Sequence, residues 1–204
     1  MNLDQLPINL FDLVVILVLG AGIAKGRKRG MSEELMSLLS WLAILFGGAA
    51  LYEPAGDWLA QYTNLFGRLS CYLVAYVVVA LLVLLLFAGI KRGLGGKLLG
   101  SDIFGRSEYY LGMGAGVVRF SCVLLAGLAL LNARFFSPTE VRAMQKYNDE
   151  WYGNDYFPGL HSMQTTVFDK SLTGVWIKQN LDFLLIKPTE PETRELHQKD
   201  AVIP

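Results

Sequence analysis

Two charged side chains lie inside long apolar runs of this sequence, where their chemistry is constrained most strongly. Asp12 lies near the start of the run at residues 10–24, and Arg119 lies within the run at residues 111–131. A charge in hydrocarbon costs several kcal/mol unless it is paired or reaches water. We therefore expect one of two arrangements. Either Asp12 and Arg119 form an ion pair between two helices, or Arg119 extends to one membrane surface while Asp12 lies at the outer headgroups.

No catalytic or metal-binding motif accompanies these two charges. The sequence has no GxSxG, HExxH or Walker A pattern, and no paired intramembrane acids of the kind a membrane protease uses. Cys71 and Cys122 both lie in apolar runs, which indicates buried thiols rather than a disulfide or a metal site. His161 and His197 have no ligand-type residues at suitable spacing. We expect a protein that is not an enzyme, with no catalytic residue, no metal and no cofactor.

Four apolar runs must position Asp12 and Arg119, and they predict an all-α membrane protein with four transmembrane helices. The runs cover residues 10–24, 35–51, 71–90 and 111–131. The third carries no charge and is long enough to cross roughly 30 Å of hydrocarbon as a helix. The first two are short for straight spans, so a re-entrant hairpin made of both is the alternative. The formal net charge is zero, which gives no electrostatic argument for a nucleic-acid partner.

Basic residues follow the first and third runs, and they predict the orientation of the chain. By the positive-inside rule both clusters face the cytoplasm, so the N-terminus and the region from residue 134 onward are expected on the other side. The first run ends in basic residues rather than a cleavage site, so we expect it to remain in the mature protein. The clusters are Lys25, Arg27, Lys28 and Arg29 after the first run, and Lys91, Arg92, Lys97 and Arg106 after the third.

The composition changes after residue 136, which divides the chain into three predicted parts. Residues 1–136 form the four-helix membrane domain, residues 137–186 an extramembrane or interfacial helical region, and residues 187–204 a disordered tail. Ser137 to Glu140 reads as a capping box that starts a short helix ending near residue 147. Residues 168–186 predict one amphipathic helix. The side chains expected on its apolar face are Phe168, Leu172, Val175 and Trp176.

Small residues mark one face of the fourth predicted helix. Gly112 and Gly116 form a GxxxG spacing, which permits close approach of another helix backbone, and the same face leads on to Arg119. The other interpretation is a flexible, Gly-rich helix start. Ser32 is the predicted N-cap of the second helix.

These residues together form a recognisable pattern. The N-terminal half has Asp12, the pair Arg29-Gly30, Glu34 and Trp41, and the fourth run has Gly112, Gly116 and Arg119. Over roughly residues 10–136 the chain resembles the colicin V production protein family of bacterial inner-membrane proteins. It departs from the family pattern at Phe120, where a Gly usually follows the Arg, and at Glu108, where Asp is common.

The resemblance implies a location and a process rather than a reaction. It implies a non-enzymatic inner-membrane accessory factor in toxin production and secretion or in envelope homeostasis. The alternative is a small oligomeric channel or transporter, whose polar path Asp12 and Arg119 could line. Expected partners are membrane lipids and either a second copy of the chain or a secretion or envelope protein.

Overall fold

Long helices dominate the computed structural model, which describes residues 9–62, 67–93, 105–142 and 159–190. Within these ranges there is no β-strand, and Arg134 and Thr189 form an isolated bridge. The long helices are α1 (Leu10–Tyr62), α2 (Arg68–Gly93) and α3 (Glu108–Asn132). Each is long and apolar enough to cross a membrane, so the all-α membrane fold class is confirmed.

The first two apolar runs form two helical segments that join directly at Gly30, and together they make up α1. Counted with α1 as one element, three helices of the described residues are long and apolar enough to cross a membrane, so the predicted count of four is not confirmed. Gly30 interrupts α1 with φ 74° and ψ 172°. Glycine adopts this conformation readily, whereas residues with a side chain rarely do. The interruption divides α1 into a first arm (residues 10–29) and a second arm (residues 31–62).

The two arms contact α3 in opposite directions. On the first arm, Gly26 faces Gly112 and Gly22 faces Gly116, so residue numbers fall in α1 as they rise in α3. On the second arm, Glu34 contacts Arg119, and farther along both helices the second arm packs on the C-terminal part of α3. The chain therefore reverses at Gly30, and the arms form a helical hairpin against which α3 packs.

Helix α2 packs on the second arm through two tyrosines that occupy the space above glycines. Tyr76 lies against Gly48, and Tyr72 lies against Gly56, which makes α2 antiparallel to the second arm. The opposite face of α2 is strongly apolar and exposed, with Leu85 at 69%. A surface of this kind is stable in lipid rather than in water.

The C-terminal region forms a cap of short helices on the bundle end that holds Asp12. Helix α4 (Leu160–Phe168) is followed by α5 (Leu172–Asn180) and a 3₁₀ turn (Asp182–Leu184). The predicted single amphipathic helix over residues 168–186 is wrong because the chain breaks after Phe168. Ser171 then starts a new helix by accepting a hydrogen bond from the Gly174 N–H at 2.8 Å.

The break in the cap also divides the predicted apolar face. Phe168 is buried, whereas Leu172 is 54% exposed and Trp176 is 58% exposed. The buried residues of α5 are instead Gly174, which packs against the Val167 carbonyl of α4, and Ile177, which joins the main core. Because α4 and α5 are separate helices, the 3.6-residue period does not carry over from Phe168 to Leu172.

The segment after α3 confirms the predicted capping box, and the first residues of the predicted tail lie beside it. The Ser137 hydroxyl accepts the Glu140 backbone N–H at 3.2 Å, as expected for a capping box. Thr189 pairs with the backbone of Ala133 and Phe135, so residues 187–190 of the predicted disordered tail lie against the end of α3. The predicted helix end near residue 147 and residues 191–204 lie outside the described residues.

Candidate functional site

A buried ion pair joins the second arm of α1 to α3. An Nη1 nitrogen of Arg119 donates to Oε2 of Glu34, and the residues are 8% and 0% exposed. Arg29 Nη1 lies 3.9 Å from the other Glu34 oxygen, Oε1, and the Arg29 side chain is 42% exposed. Two guanidinium groups therefore flank one buried carboxylate, as its burial requires.

The interruption at Gly30 places Glu34 one helical turn into the second arm. Glu108, in the first turn of α3, accepts the Ser32 backbone N–H at 3.2 Å. This carboxylate satisfies an N–H near the start of the second arm, where the helix dipole favours negative charge. The prediction that Ser32 is the N-cap is wrong. The interruption lies at Gly30, so Ser32 is already inside the first turn of the second arm.

Glycines bring α3 close enough to the hairpin for this contact. A Cβ added to Gly22 would lie 2.9 Å from the Gly116 carbonyl oxygen, and one added to Gly112 would lie 2.6 Å from the Gly26 carbonyl oxygen. These separations leave no room for a side chain, so the two backbones touch as in small-residue membrane helix packing. Gly112 and Gly116 therefore face the first arm.

The predicted Asp12–Arg119 ion pair is wrong. Side chains in a helix tilt toward its N-terminus, so Arg119 leans toward the Gly30 end of the bundle. Asp12 lies at the opposite end of the hairpin, about 10 Å beyond the first-arm position that faces Arg119. Glu34 lies on the side toward which the arginine leans, and it takes the place that the sequence analysis gave to Asp12.

Asp12 instead attaches the C-terminal cap to the bundle. Its carboxylate accepts the backbone N–H groups of Leu172 at 3.3 Å and Thr173 at 3.0 Å, and the Thr173 hydroxyl also donates to it. Asp12 also accepts the Asn9 N–H at 3.0 Å, which caps the start of α1. One buried carboxylate therefore satisfies the N-terminal N–H groups of two helices.

Trp41 and Phe120 lie beside these contacts rather than in them. Trp41 is partly buried against a cluster that contains Leu45 and Cys122. The Arg119 guanidinium carbon lies 5.0 Å from the centre of the Phe120 ring, a cation–π distance. The departure from the family pattern at Phe120 thus coexists with the close Gly22–Gly116 contact.

Glu34 belongs to the family pattern in the sequence, but the pattern alone does not identify it as the partner of Arg119. The usable signal was the direction in which a helical arginine leans, because that direction favours a carboxylate near the Gly30 end. The chemistry of the pair is electrostatic. Within the described ranges no group of three or more His, Cys, Asp and Glu residues could hold a metal ion.

The fold and the site define an all-α integral membrane protein in which a helical hairpin is joined to a third long helix by buried charge and close glycine contacts. Residues 11–149 match the family model described as colicin V production protein. This chain therefore belongs to the colicin V production protein family. No curated protein and no solved structure matches the chain.

Proposed function

We propose that this chain is a non-enzymatic accessory protein of colicin V production in the bacterial inner membrane, acting as a scaffold for secretion or for the envelope. The observation that carries the proposal is the use of the buried charges. In the described part of the chain these are Asp12, Glu34 and Arg119, and each binds another helical element of the same chain. Charges used in this way hold helical elements of the chain together, which is a structural use rather than a chemical one.

The cap supplies a surface on which such a scaffold could bind a partner. It is fixed to the bundle by hydrogen bonds from Asn9 to the Thr166 carbonyl oxygen and from Asn132 to the Ile186 carbonyl oxygen, both 3.0 Å. Its outer side exposes Trp176 and Phe183 at 58% and 66%. Exposed aromatic side chains on a firmly held cap favour contact with a protein of the envelope or with the membrane surface.

The test is a rescue experiment in a colicin V producing strain without its own family member. Arg119→Leu removes the buried partner of Glu34 and leaves only Arg29, 3.9 Å from Oε1, so toxin production should fall. The double variant Glu34→Leu/Arg119→Leu has no unpaired charge, and buried ion pairs can often be replaced by apolar residues. A scaffold predicts that the double variant recovers toxin production, measured as the growth-inhibition zone at matched protein level.

The rescue experiment has a matched control and one result that would contradict the scaffold. Arg92→Gln removes an exposed charge in the last turn of α2 and serves as the control that should leave production unchanged. A double variant that accumulates normally but produces no toxin would show that the charges themselves are needed, which contradicts a purely structural role.

A channel or transporter is the second candidate, and one observation favours it. Glu34 Oε1 and Arg119 Nε are buried and have no hydrogen-bond partner among the described residues. Polar atoms of this kind inside a membrane protein can mark a path for ions or water. In proteoliposomes, ion flux that is present in the wild type and lost in the stable double variant would favour this candidate.

We further propose that the turn at Gly30 faces the cytoplasm and that Asp12 and the cap lie on the other side, as the basic residues predict. Lys28→Cys should stay unlabelled by an impermeant thiol reagent in intact cells. Leu172→Cys, at an exposed position in the cap, should be labelled. The native cysteines are buried and give a low background. Labelling at position 28 and not at position 172 would show that the orientation is the opposite one.

A further inference from the structure

A groove of about 930 Å³ runs between the first arm of α1 and the N-terminal part of α3. It is independent of the Glu34–Arg119 contact and of the scaffold role. We propose that it binds one anionic phospholipid, with the phosphate at its basic end and an acyl chain along its apolar end. The lining residues are Gly20, Ile23, Ala24, Arg27, Lys28, Tyr109, Tyr110 and Met113.

The groove follows from the close glycine contact of the two helices. Gly22 and Gly26 hold the first arm against α3, and the neighbouring face of that arm carries small or exposed residues. Gly20 contributes no side chain, and a Cβ added to it would meet nothing within 4 Å. On α3 the opposite wall is formed by Tyr110 and Met113. Two helices touching through glycines thus leave an open apolar channel beside the contact.

The polarity of the groove changes along its length in the way a phospholipid requires. Arg27, Lys28, Tyr109 and Tyr110 lie within the last turn before Gly30 or the first turn of α3, at one end of the bundle. Gly20 lies about 15 Å from Gly30 along the helix, which is near the middle of a bilayer. Tyrosines and basic side chains favour the headgroup region, and small apolar residues favour acyl chains.

Charge complementarity selects the lipid class. Among the residues that the structure describes, the lining contains two cations and no carboxylate. A phosphodiester headgroup without an amine keeps its negative charge, whereas a zwitterionic headgroup carries its own cation. Each basic residue near a membrane surface contributes attraction for anionic lipid worth about a fivefold change in binding. The volume is also that of a typical ligand pocket, roughly 300–1,000 Å³.

Native mass spectrometry of the full chain in detergent tests the site with phosphatidylglycerol and with phosphatidylcholine of the same acyl chains. The wild type should bind phosphatidylglycerol more tightly than phosphatidylcholine, by roughly tenfold or more. Arg27→Gln/Lys28→Gln should lower that affinity by roughly tenfold or more, to the level of phosphatidylcholine. Lys91→Gln/Arg92→Gln, which removes two exposed charges from α2, is the matched control and should leave the preference intact.

Two glycine-to-leucine substitutions, one in the groove and one outside it, test the acyl-chain end of the groove separately. Gly20→Leu fills the groove without a clash and should weaken binding of both lipids. Gly89→Leu, at an equally open position in α2, should leave binding unchanged. Equal wild-type affinity for the two lipids would overturn the proposal. So would an equal loss in the two double-charge variants, because binding would then follow total charge rather than this groove.

Discussion

Glu34 and Arg119, 85 positions apart in the chain, form an ion pair in which the Glu34 side chain has no exposed surface. The contact connects the second arm of α1 to α3 just beyond the reversal at Gly30. Because neither charge can reach bulk water easily, each depends on the other. The same contact brings together Arg29, Glu34 and Arg119 of the family pattern, which come from two distant segments of the chain.

The first prediction concerns the stability of this pair. Arg119→Leu and Glu34→Leu each remove the buried partner of the other charge, and each should lower the free energy of unfolding by about 3–5 kcal/mol. The double variant should lose much less than the sum of the two single losses. Thermal unfolding in detergent measures this, with Glu53→Gln/Lys187→Gln, an exposed ion pair, as the control that changes little. Additive losses would mean that the two charges do not interact.

The second prediction concerns Asp12 and the cap. Asp12→Asn weakens a charged cap shared by α1 and α5, so backbone amides in residues 172–180 should exchange hydrogen faster. The loss in local stability should be about 1 kcal/mol, typical of a helix cap. Hydrogen–deuterium exchange with mass spectrometry measures it. Asp169→Asn, an exposed carboxylate in the same cap, should leave the exchange unchanged.

Asp12 and Arg119 should also behave as independent sites. They lie toward different ends of the bundle and bind different partners. The stability losses of Asp12→Asn and Arg119→Leu should therefore add within about 0.5 kcal/mol. A coupling energy well above this value would support an ion pair between Asp12 and Arg119 and contradict the arrangement described here.

The third prediction concerns the glycine contact between α3 and the first arm. Gly116→Leu should prevent close packing, because any side chain at this position meets the Gly22 backbone. Gly114→Leu is the matched control on the same helix, since a Cβ there meets nothing within 4 Å. Expression level and melting temperature in detergent should fall for position 116 and not for position 114. Equal tolerance would place the interface elsewhere.

The fourth prediction concerns the reversal itself. Gly30→Ala forces a side chain into a positive-φ conformation, and its Cβ would lie 2.7 Å from Glu108 Cγ. The strain should cost at least about 1–2 kcal/mol. Gly20→Ala, in open helical surroundings, should be neutral or stabilising by up to about 1 kcal/mol. Paired melting curves in one detergent measure the difference. A Gly30→Ala protein as stable as Gly20→Ala would argue against this backbone conformation.

The sequence predicted the helical membrane fold because long uncharged runs have few other stable solutions. It placed Gly112 and Gly116 on a contact face through their spacing. It could not identify the partner of Arg119. The depth of Arg119 in the membrane was judged from its position along the helix, without the tilt of its side chain toward the helix N-terminus. It also joined Phe168 to Leu172 in one helix, because a short break capped by Ser171 leaves the apolar period almost undisturbed.

The reversal of α1 at Gly30 lets both arms pack on α3, and one distance tests it directly. Spin labels at the exposed positions Leu13 and Leu51 can be measured by double electron–electron resonance in lipid nanodiscs. A hairpin places the labels on neighbouring helices, with axes 8–10 Å apart, so the distance should be on the order of 20–30 Å. A continuous helix would separate them by about 57 Å, and that result would contradict the hairpin.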